Sequence, residues 1–262
     1  MAETVMRRRA VLRAIAGTGL GAVSVSASHP ARAHTPGQMA TRELSVPGSE
    51  YTLEVMTTEA RTSGLTALVV GGVHGDEIAG YQAAESFVNW TPEAGKLVLL
   101  PRANPGAIAD DSRSTDTGDL NRKFVPDDTP TTPLARTIWN FVQRIDPDAL
   151  VSLHESRGIY GGEPSGVGQT VFCSPRKEGY DAARMAVRRA NRLVSQPKLA
   201  FKSGTIGPPD DEPIGLLTEK ATYDANIPSF IVETYWNNPL EKRIDWHQAT
   251  VRGVLDYFDL ID

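Results

Sequence analysis

The sequence predicts an α/β sandwich around a largely parallel or mixed sheet. Two patterns predict it. Short continuous apolar runs, of the kind found in strands covered on both faces, alternate with amphipathic segments of helical period. In addition, His74, Asn104, His154 and Glu233 each stand at or just past the C-terminal end of a predicted strand, the edge of open α/β sheets where ligands bind. Thr52–Thr57 (TLEVMT) alternates apolar and polar residues and reads as an outer strand, whereas Leu65–Gly71 (LTALVVG) reads as a buried one. Glu77–Trp90 reads as a helix with Asp76 as its N-cap, and Lys96–Leu100 as a second buried strand halted by Pro101. Asn104–Pro130 is rich in Asp, Gly, Ser, Thr and Pro and reads as a long loop, which in a compact domain is usually functional. Next come a helix over Leu134–Ile145, strands at Ala149–Leu153 and Thr170–Ser174, and a basic-faced helix over Tyr180–Val194. Lys202–Pro213 reads as irregular, Ile214–Ala225 as helix, Ser229–Val232 as a short buried strand, and Ile244–Leu260 as a closing amphipathic helix.

No internal repeat and no Pro/Gly-rich linker divides the body, so residues 34–262 read as a single domain. Residues 1–33 differ in character: Arg7-Arg8-Arg9-Ala10-Val11-Leu12-Arg13 resembles a twin-arginine export motif. A stretch from Ala14 to Ala27 follows, too short and too rich in Gly and Ser for a transmembrane helix, and then Ala31-Arg32-Ala33 as a small-x-small cleavage site. The expectation is passage through the twin-arginine machinery, cleavage near Ala33, and a periplasmic or extracellular product without stable membrane insertion. That route carries folded cargo, which suits a protein loaded with metal before export. The whole chain has a formal charge of −5. Its first 33 residues hold five of the 27 basic side chains and one of the 32 acidic ones, leaving a body of net charge −9. So acidic a body, with no basic stripe, argues against nucleic acid as a partner. Cys173 is the only cysteine and sits in the apolar run TVFC, which excludes a disulfide framework and a thiolate cluster and reads as a buried, inert thiol.

The chemistry concentrates in GGVHGDE around His74, VSLHES around His154, DLNR at Asp119–Arg122 and IVET ending at Thr234. His74 and Glu77 are three residues apart at a strand-to-helix turn, and His154 ends another strand. Two imidazoles and one carboxylate hold zinc while leaving a fourth tetrahedral position for water, the ligand set of an open catalytic site. Gly71, Gly72 and Gly75 let backbone approach that turn closely. Of the other histidines beyond the leader, His34 would be the new N-terminus, and His247 reads as lying on the solvent face of the last helix. Glu233 ends a buried apolar strand, where partial desolvation raises its pKa into the range useful for a general base. Glu155 is a rival base, ranked second because it points to the opposite face from His154, and Glu219 ranks below it. Arg113 and Arg122 bracket Asp119-Leu120-Asn121; one guanidinium can stabilise an oxyanion, and one beside an asparagine amide can clamp a carboxylate. Tyr160 and Tyr235 are further candidate substrate contacts.

Taken in order, GGVHGDE, Asn104-Pro105, Arg113, DLNR, LHE and IVET resemble the zinc carboxypeptidase clan, most closely its succinylglutamate desuccinylase/aspartoacylase branch. The resemblance implies a three-layer α/β/α sandwich with a mixed, largely parallel central sheet. It implies His74, Glu77 and His154 as ligands of one zinc ion, Glu233 as general base, Arg113 as the carbonyl-polarising arginine, and Asn121 with Arg122 as holders of a substrate carboxylate. Typical members continue into a C-terminal β-rich domain that shapes the pocket, whereas one helix follows Glu233 here, so specificity for acetylaspartate or succinylglutamate does not transfer. The expected function is zinc-dependent hydrolysis of an amide in a small substrate with a free carboxylate, as in an N-acyl amino acid deacylase. A metallocarboxypeptidase acting on peptides or cell-wall peptide stems is the alternative among hydrolases. A non-catalytic zinc- or carboxylate-binding protein is the alternative of another class.

Overall fold

Every residue of Ala149–Ser156 is buried, as its apolar run predicts for a central strand covered on both faces. The structure, a computed structural model, describes residues 37–209 and 211–261. The expected leader lies outside the described residues, and Pro36–Asp262 forms one compact unit. Among the described residues no helix is long and apolar enough to cross a membrane.

The strands are β1 (Met39–Ser45), β2 (Thr52–Glu59), β3 (Thr62–Val70), β4 (Ala94–Leu100), β5 (Ala149–Ser156), β6 (Thr170–Cys173), β7 (Lys202–Thr205) and β8 (Ser229–Tyr235). They form one sheet in the order β1-β2-β4-β3-β5-β8-β6-β7. The pairs β3–β4, β3–β5, β5–β8 and β6–β7 are parallel, and β1–β2, β2–β4 and β6–β8 antiparallel. The helices are α1 (Ile78–Ser86), α2 (Pro105–Ala109), α3 (Pro133–Ile145), α4 (Lys177–Asn191), α5 (Leu217–Tyr223) and α6 (Leu240–Tyr257).

Alternation along the strands feeds two cores. Ala67, Val69, Leu97, Leu99, Val151 and Leu153 pack with residues of α1, α4 and α6. Their neighbours Leu68, Val70, Val98, Leu100 and Leu150 pack with residues of α3 and α5 on the other face. The result is the expected mixed α/β/α sandwich. Local signals start and close its helices. The Thr132 side chain accepts the Ala135 N–H at 3.2 Å ahead of Pro133, and this begins α3. Helices α4 and α6 approach so closely that a Cβ at Gly253 would lie 2.5 Å from Ala186 Cα.

The chain leaves β3 for β4 on one side and then crosses to β5 on the other. This places a topological switch point between β3 and β5, where open α/β sheets form their ligand crevice. His74 lies just past β3, His154 lies on β5, and Glu233 on β8 is the direct cross-strand partner of His154.

Some expectations are corrected. TLEVMT is not the outer strand: β1, mostly exposed and polar, pairs along it and takes the edge. The stretch read as irregular contains β7, whose KSGT sequence carries no apolar pattern because it too is an edge. Asp76 does not cap α1; the cap position is Glu77, which makes no side-chain cap bond. The Ala79 N–H in that first turn donates instead to Glu155 Oε2, at 2.9 Å, from β5. Finally, His247 is not on a solvent face but fully buried, because α6 is covered by α1, α4 and the sheet.

Candidate active site

The tight turn after β3 delivers the first two functional groups. Gly75 meets the chain at Ala107 so closely that a Cβ would fall 1.9 Å from the Ala107 carbonyl oxygen, so only glycine fits. Asn104 consolidates this crossing: its Oδ1 accepts the Ala107 N–H at 3.3 Å and its Nδ2 donates to the Val73 carbonyl at 3.3 Å. Asn104 is therefore a scaffold residue rather than part of the reacting set.

Held by that turn, His74 Nδ1 lies 2.7 Å from Glu77 Oε1, and His154 Nδ1 lies 2.8 Å from Glu77 Oε2. The two Nδ1 atoms are 3.3 Å apart. All three side chains are buried, and their candidate ligand atoms lie within 4.8 Å of one another. The remote ring nitrogens are anchored as well. His74 Nε2 faces Asp119 Oδ1 at 3.0 Å, and His154 Nε2 faces Ser152 Oγ at 2.9 Å. Partners of this kind fix the tautomer and orientation of metal-binding imidazoles. The donor set thus fits one divalent cation on chemical grounds: two oriented imidazole nitrogens and a carboxylate converge on one point.

The electrostatics agree. Burial works against the His74 imidazolium, but Glu77 and Asp119 on its two sides overcome it and lift the pKa to about 9. Burial likewise opposes ionisation of Glu77, and His154 with His74 holds its carboxyl well below the usual carboxylate range. Burial dominates at His154 and lowers its pKa. Such a pocket favours positive charge beside Glu77, as proton or as metal ion.

Glu233 stands opposite His154 on the neighbouring strand. Its Oε2 is buried without a hydrogen-bond partner among the described residues. Burial, reinforced by the Glu77 charge, raises its pKa well above the ordinary carboxyl value. A carboxyl group so placed, beside the cluster and with one oxygen unbonded, can accept and donate a proton there.

The loop after α2 supplies cations. Arg113, half exposed, donates from NH1 to Glu77 Oε1 at 3.3 Å and from Nε to Asp119 Oδ2 at 3.2 Å. Arg122 donates to the Asn121 carbonyl at 2.7 Å and lies 3.9 Å from Asp119 Oδ2. The Asn121 side-chain oxygen accepts the Leu217 N–H at 3.1 Å, at the start of α5, so its amide nitrogen is the end left for a ligand. His74, Glu77, Arg113, Asn121, Arg122, His154 and Glu233 all line one cavity of about 1100 Å³. Tyr160 lines it too, whereas Tyr235 is outside the lining and its backbone N–H donates to Gln169.

Sequence reasoning missed Asp119 and Ser152 as orienting partners. Ser152 was findable, being two residues before His154 on the same strand face. Glu155 points to the α1 and α6 side of the sheet at the edge of the same cavity, where Arg243, the Thr234 hydroxyl and the Ala79 N–H all donate to its carboxylate. Nothing local in the sequence marks Arg243 as its counter-ion. Cys173 is buried as expected, and burial pushes its thiol up to about 11.

Residues 63–152 match the model of the succinylglutamate desuccinylase/aspartoacylase catalytic domain. The matched stretch contains His74, Glu77, Arg113, Asn121 and Arg122 and ends just before His154. No curated protein matches the chain. Among solved structures, the tripeptide-bound Cell Shape Determinant Csd4 protein from Helicobacter pylori superposes with a TM-score of 0.69 at 20% identity, over 79% of this chain and 56% of that one. The mDAP-bound form of Helicobacter pylori Csd4, a D,L-carboxypeptidase, gives 0.64 at 21% identity, over 75% and 51%. A succinylglutamate desuccinylase from Silicibacter sp. TM1040 gives 0.60 at 17% identity, over 86% and 68%. This chain therefore spans about half the length of the Csd4 chains. At these identities the likeness establishes the fold, which is the sandwich that the motif resemblance implied.

Proposed function

We propose that the chain is a zinc-dependent hydrolase that cleaves an amide bond in a small substrate bearing a free carboxylate. One observation carries this reading: a buried His74–Glu77–His154 cluster stands beside Glu233, whose Oε2 is buried and unpartnered among the described residues. His74, Glu77 and His154 would hold the zinc ion. When bound, zinc acidifies water and polarises a carbonyl group.

The chain's own residues do the rest. Glu233 takes a proton from the attacking water, and its raised pKa lets it pass that proton to the leaving nitrogen as the C–N bond breaks. Arg113, poised at the edge of the cluster, stabilises the negative charge that develops on the carbonyl oxygen. Arg122 and the Asn121 amide nitrogen hold the substrate carboxylate and thereby position the amide. The arginine-rich leader supports export through the twin-arginine machinery and action outside the cytoplasmic membrane after cleavage near Ala33.

The cavity volume favours a second reading. About 1100 Å³ is roomy for a single short N-acyl amino acid and suits a short peptide. A metallocarboxypeptidase acting on peptides or cell-wall peptide stems would use the same groups, and the Csd4 structures hold a tripeptide or mDAP in a fold of this kind. The test is a panel of N-acyl amino acids and short peptides, assayed with metal content measured by mass spectrometry. We expect about one zinc per chain, and hydrolysis that chelation abolishes and zinc restores. Exclusive cleavage of peptides would establish the second reading. A full complement of zinc with no hydrolysis of any amide or ester would overturn both and leave a binding protein.

A further inference from the structure

Helix α4 is packed tightly on one side and bare on the other. Its small residues Gly179, Ala182, Ala183, Ala186 and Ala190 are buried, the alanines in the core shared with α6 and the sheet. Away from them, Tyr180, Arg184, Arg188 and Arg192 follow one another at intervals of four, a spacing that forms a row along a helix surface. All four are exposed, as is Lys177 one turn before Tyr180. The sequence shows no long basic run here; winding the chain into a helix brings the charges into line. Asp181 pairs with Lys177 and Arg184, and Arg189, beside the row, pairs with Asp256 of α6. Arg188 and Arg192 have no side-chain partner among the described residues.

Charge is divided unevenly over the molecule. Residues 176–198 hold seven basic and two acidic side chains, a net +5, while the rest of the body beyond residue 33 carries −14. A field so polarised turns this face towards a negatively charged surface. Screening within about 8 Å at physiological salt keeps the distant acidic side from opposing the contact. Apolar groups stand at both ends of the row. Tyr180 begins it, and Leu193 just past its end is, at 55%, the most exposed large hydrophobic residue among the described residues. A phosphate backbone gains little from such groups, whereas a bilayer takes them up at headgroup depth while arginines reach the lipid phosphates. No residue of α4 lines the cavity, and the helix packs on the sheet face opposite that of His154 and Glu233. The cleft therefore stays open when this face is covered.

We propose that the outer face of α4 is a peripheral docking surface for an anionic phospholipid bilayer, with Arg188 and Arg192 as its main lipid contacts. Co-sedimentation of the full-length protein with vesicles of equal parts phosphatidylglycerol and phosphatidylcholine tests it, against vesicles of phosphatidylcholine alone. The protein is expected on the anionic vesicles, and to leave them as salt rises from about 0.1 M to about 0.5 M. R188Q/R192Q should partition about 25-fold more weakly, at about fivefold for each arginine near such a surface. The arginine-rich leader is common to both proteins, so the difference between them reads α4, and circular dichroism verifies that the variant is folded. The docking surface is overturned if the wild-type protein does not bind the anionic vesicles, or if R188Q/R192Q binds them as tightly as wild type. Tighter binding of duplex DNA than of the vesicles, lost in the same variant, would assign the face to nucleic acid and overturn it too. None of these outcomes depends on turnover, so the hydrolase reading stands or falls separately.

Discussion

His154 and Glu155 are neighbours on β5, as Glu233 and Thr234 are on β8, yet the two members of each pair belong to different environments. On the cleft face, His154 and Glu233 stand side by side with capacity left over: the cluster can hold a cation, and Glu233 Oε2 has no hydrogen-bond partner among the described residues. On the α1 and α6 side, at the edge of the same cavity, Glu155 takes the Ala79 N–H, the Thr234 hydroxyl and the Arg243 guanidinium, and Thr234 Oγ1 lies 3.2 Å from His247 Nε2. Burial pushes both glutamates up, but Arg243 and the Ala79 N–H counter the rise at Glu155, whereas the nearby Glu77 charge adds to it at Glu233. Burial and incomplete bonding therefore do not by themselves identify the working carboxylate, since Glu219 is buried in the same cavity with an Oε1 unpartnered among the described residues; the place of Glu233 directly opposite His154 sets it apart. Glu155 also ties α1 to β5 and β8, the elements next to which the cluster and the base are mounted.

The sharpest way to break this comparison is Glu233→Gln. It should lower kcat by about 10²–10⁴-fold, the usual contribution of a positioned base, with zinc content unchanged by mass spectrometry. Near-normal turnover would remove Glu233 from the mechanism and erase the contrast. Next comes Arg243→Met, which leaves Glu155 buried without its counter-ion and should cost about 3–5 kcal/mol in urea unfolding. The double variant Glu155→Gln/Arg243→Met should be less destabilised than the sum of the two single variants, and strict additivity would show that the pair is uncoupled.

The smallest effect concerns His247, which burial depresses from 6.5 to about 3. Its folded-state pKa lies below the unfolded one, so the stability it contributes is intact above about pH 6.5 and is lost as the pH falls towards 3. Between pH 7 and 5 this amounts to about 2 kcal/mol at roughly 1.4 kcal/mol per pH unit. His247→Gln should flatten the urea-midpoint profile across that interval, and an unchanged slope would place the acid sensitivity elsewhere.

Much of this was legible in the sequence. The apolar runs LTALVVG and KLVLL mark central strands because such strands are covered twice, and His-x-x-Glu at a strand-to-helix turn can converge locally. Glu233 was legible because its strand is apolar up to that residue. Other features depend on partners distant in the chain. β1 and β7 are edges that need no apolar pattern. The α1 N-terminus is served by a carboxylate 76 residues away, so its own flanking Asp76 misleads. His247 was assigned to the wrong face because a helix pressed between other helices and the sheet has no single wet side.

The alternation that feeds two separate cores also sets the frame in which the chain is deciphered as chemistry. Side chains on a strand exchange faces with every single-residue step. Removing one residue upstream of His154 within β5 would turn the imidazole towards α1 and α6 and present Glu155 to the cleft; the same lesion in β8 would exchange Glu233 for Thr234. The hydrophobic layers would have to trade places in the same stroke, and each is complete only in its present phase. Packing and reactivity thus share one phase lock, and sequence drift in these two strands can proceed by substitution far more readily than by insertion or deletion.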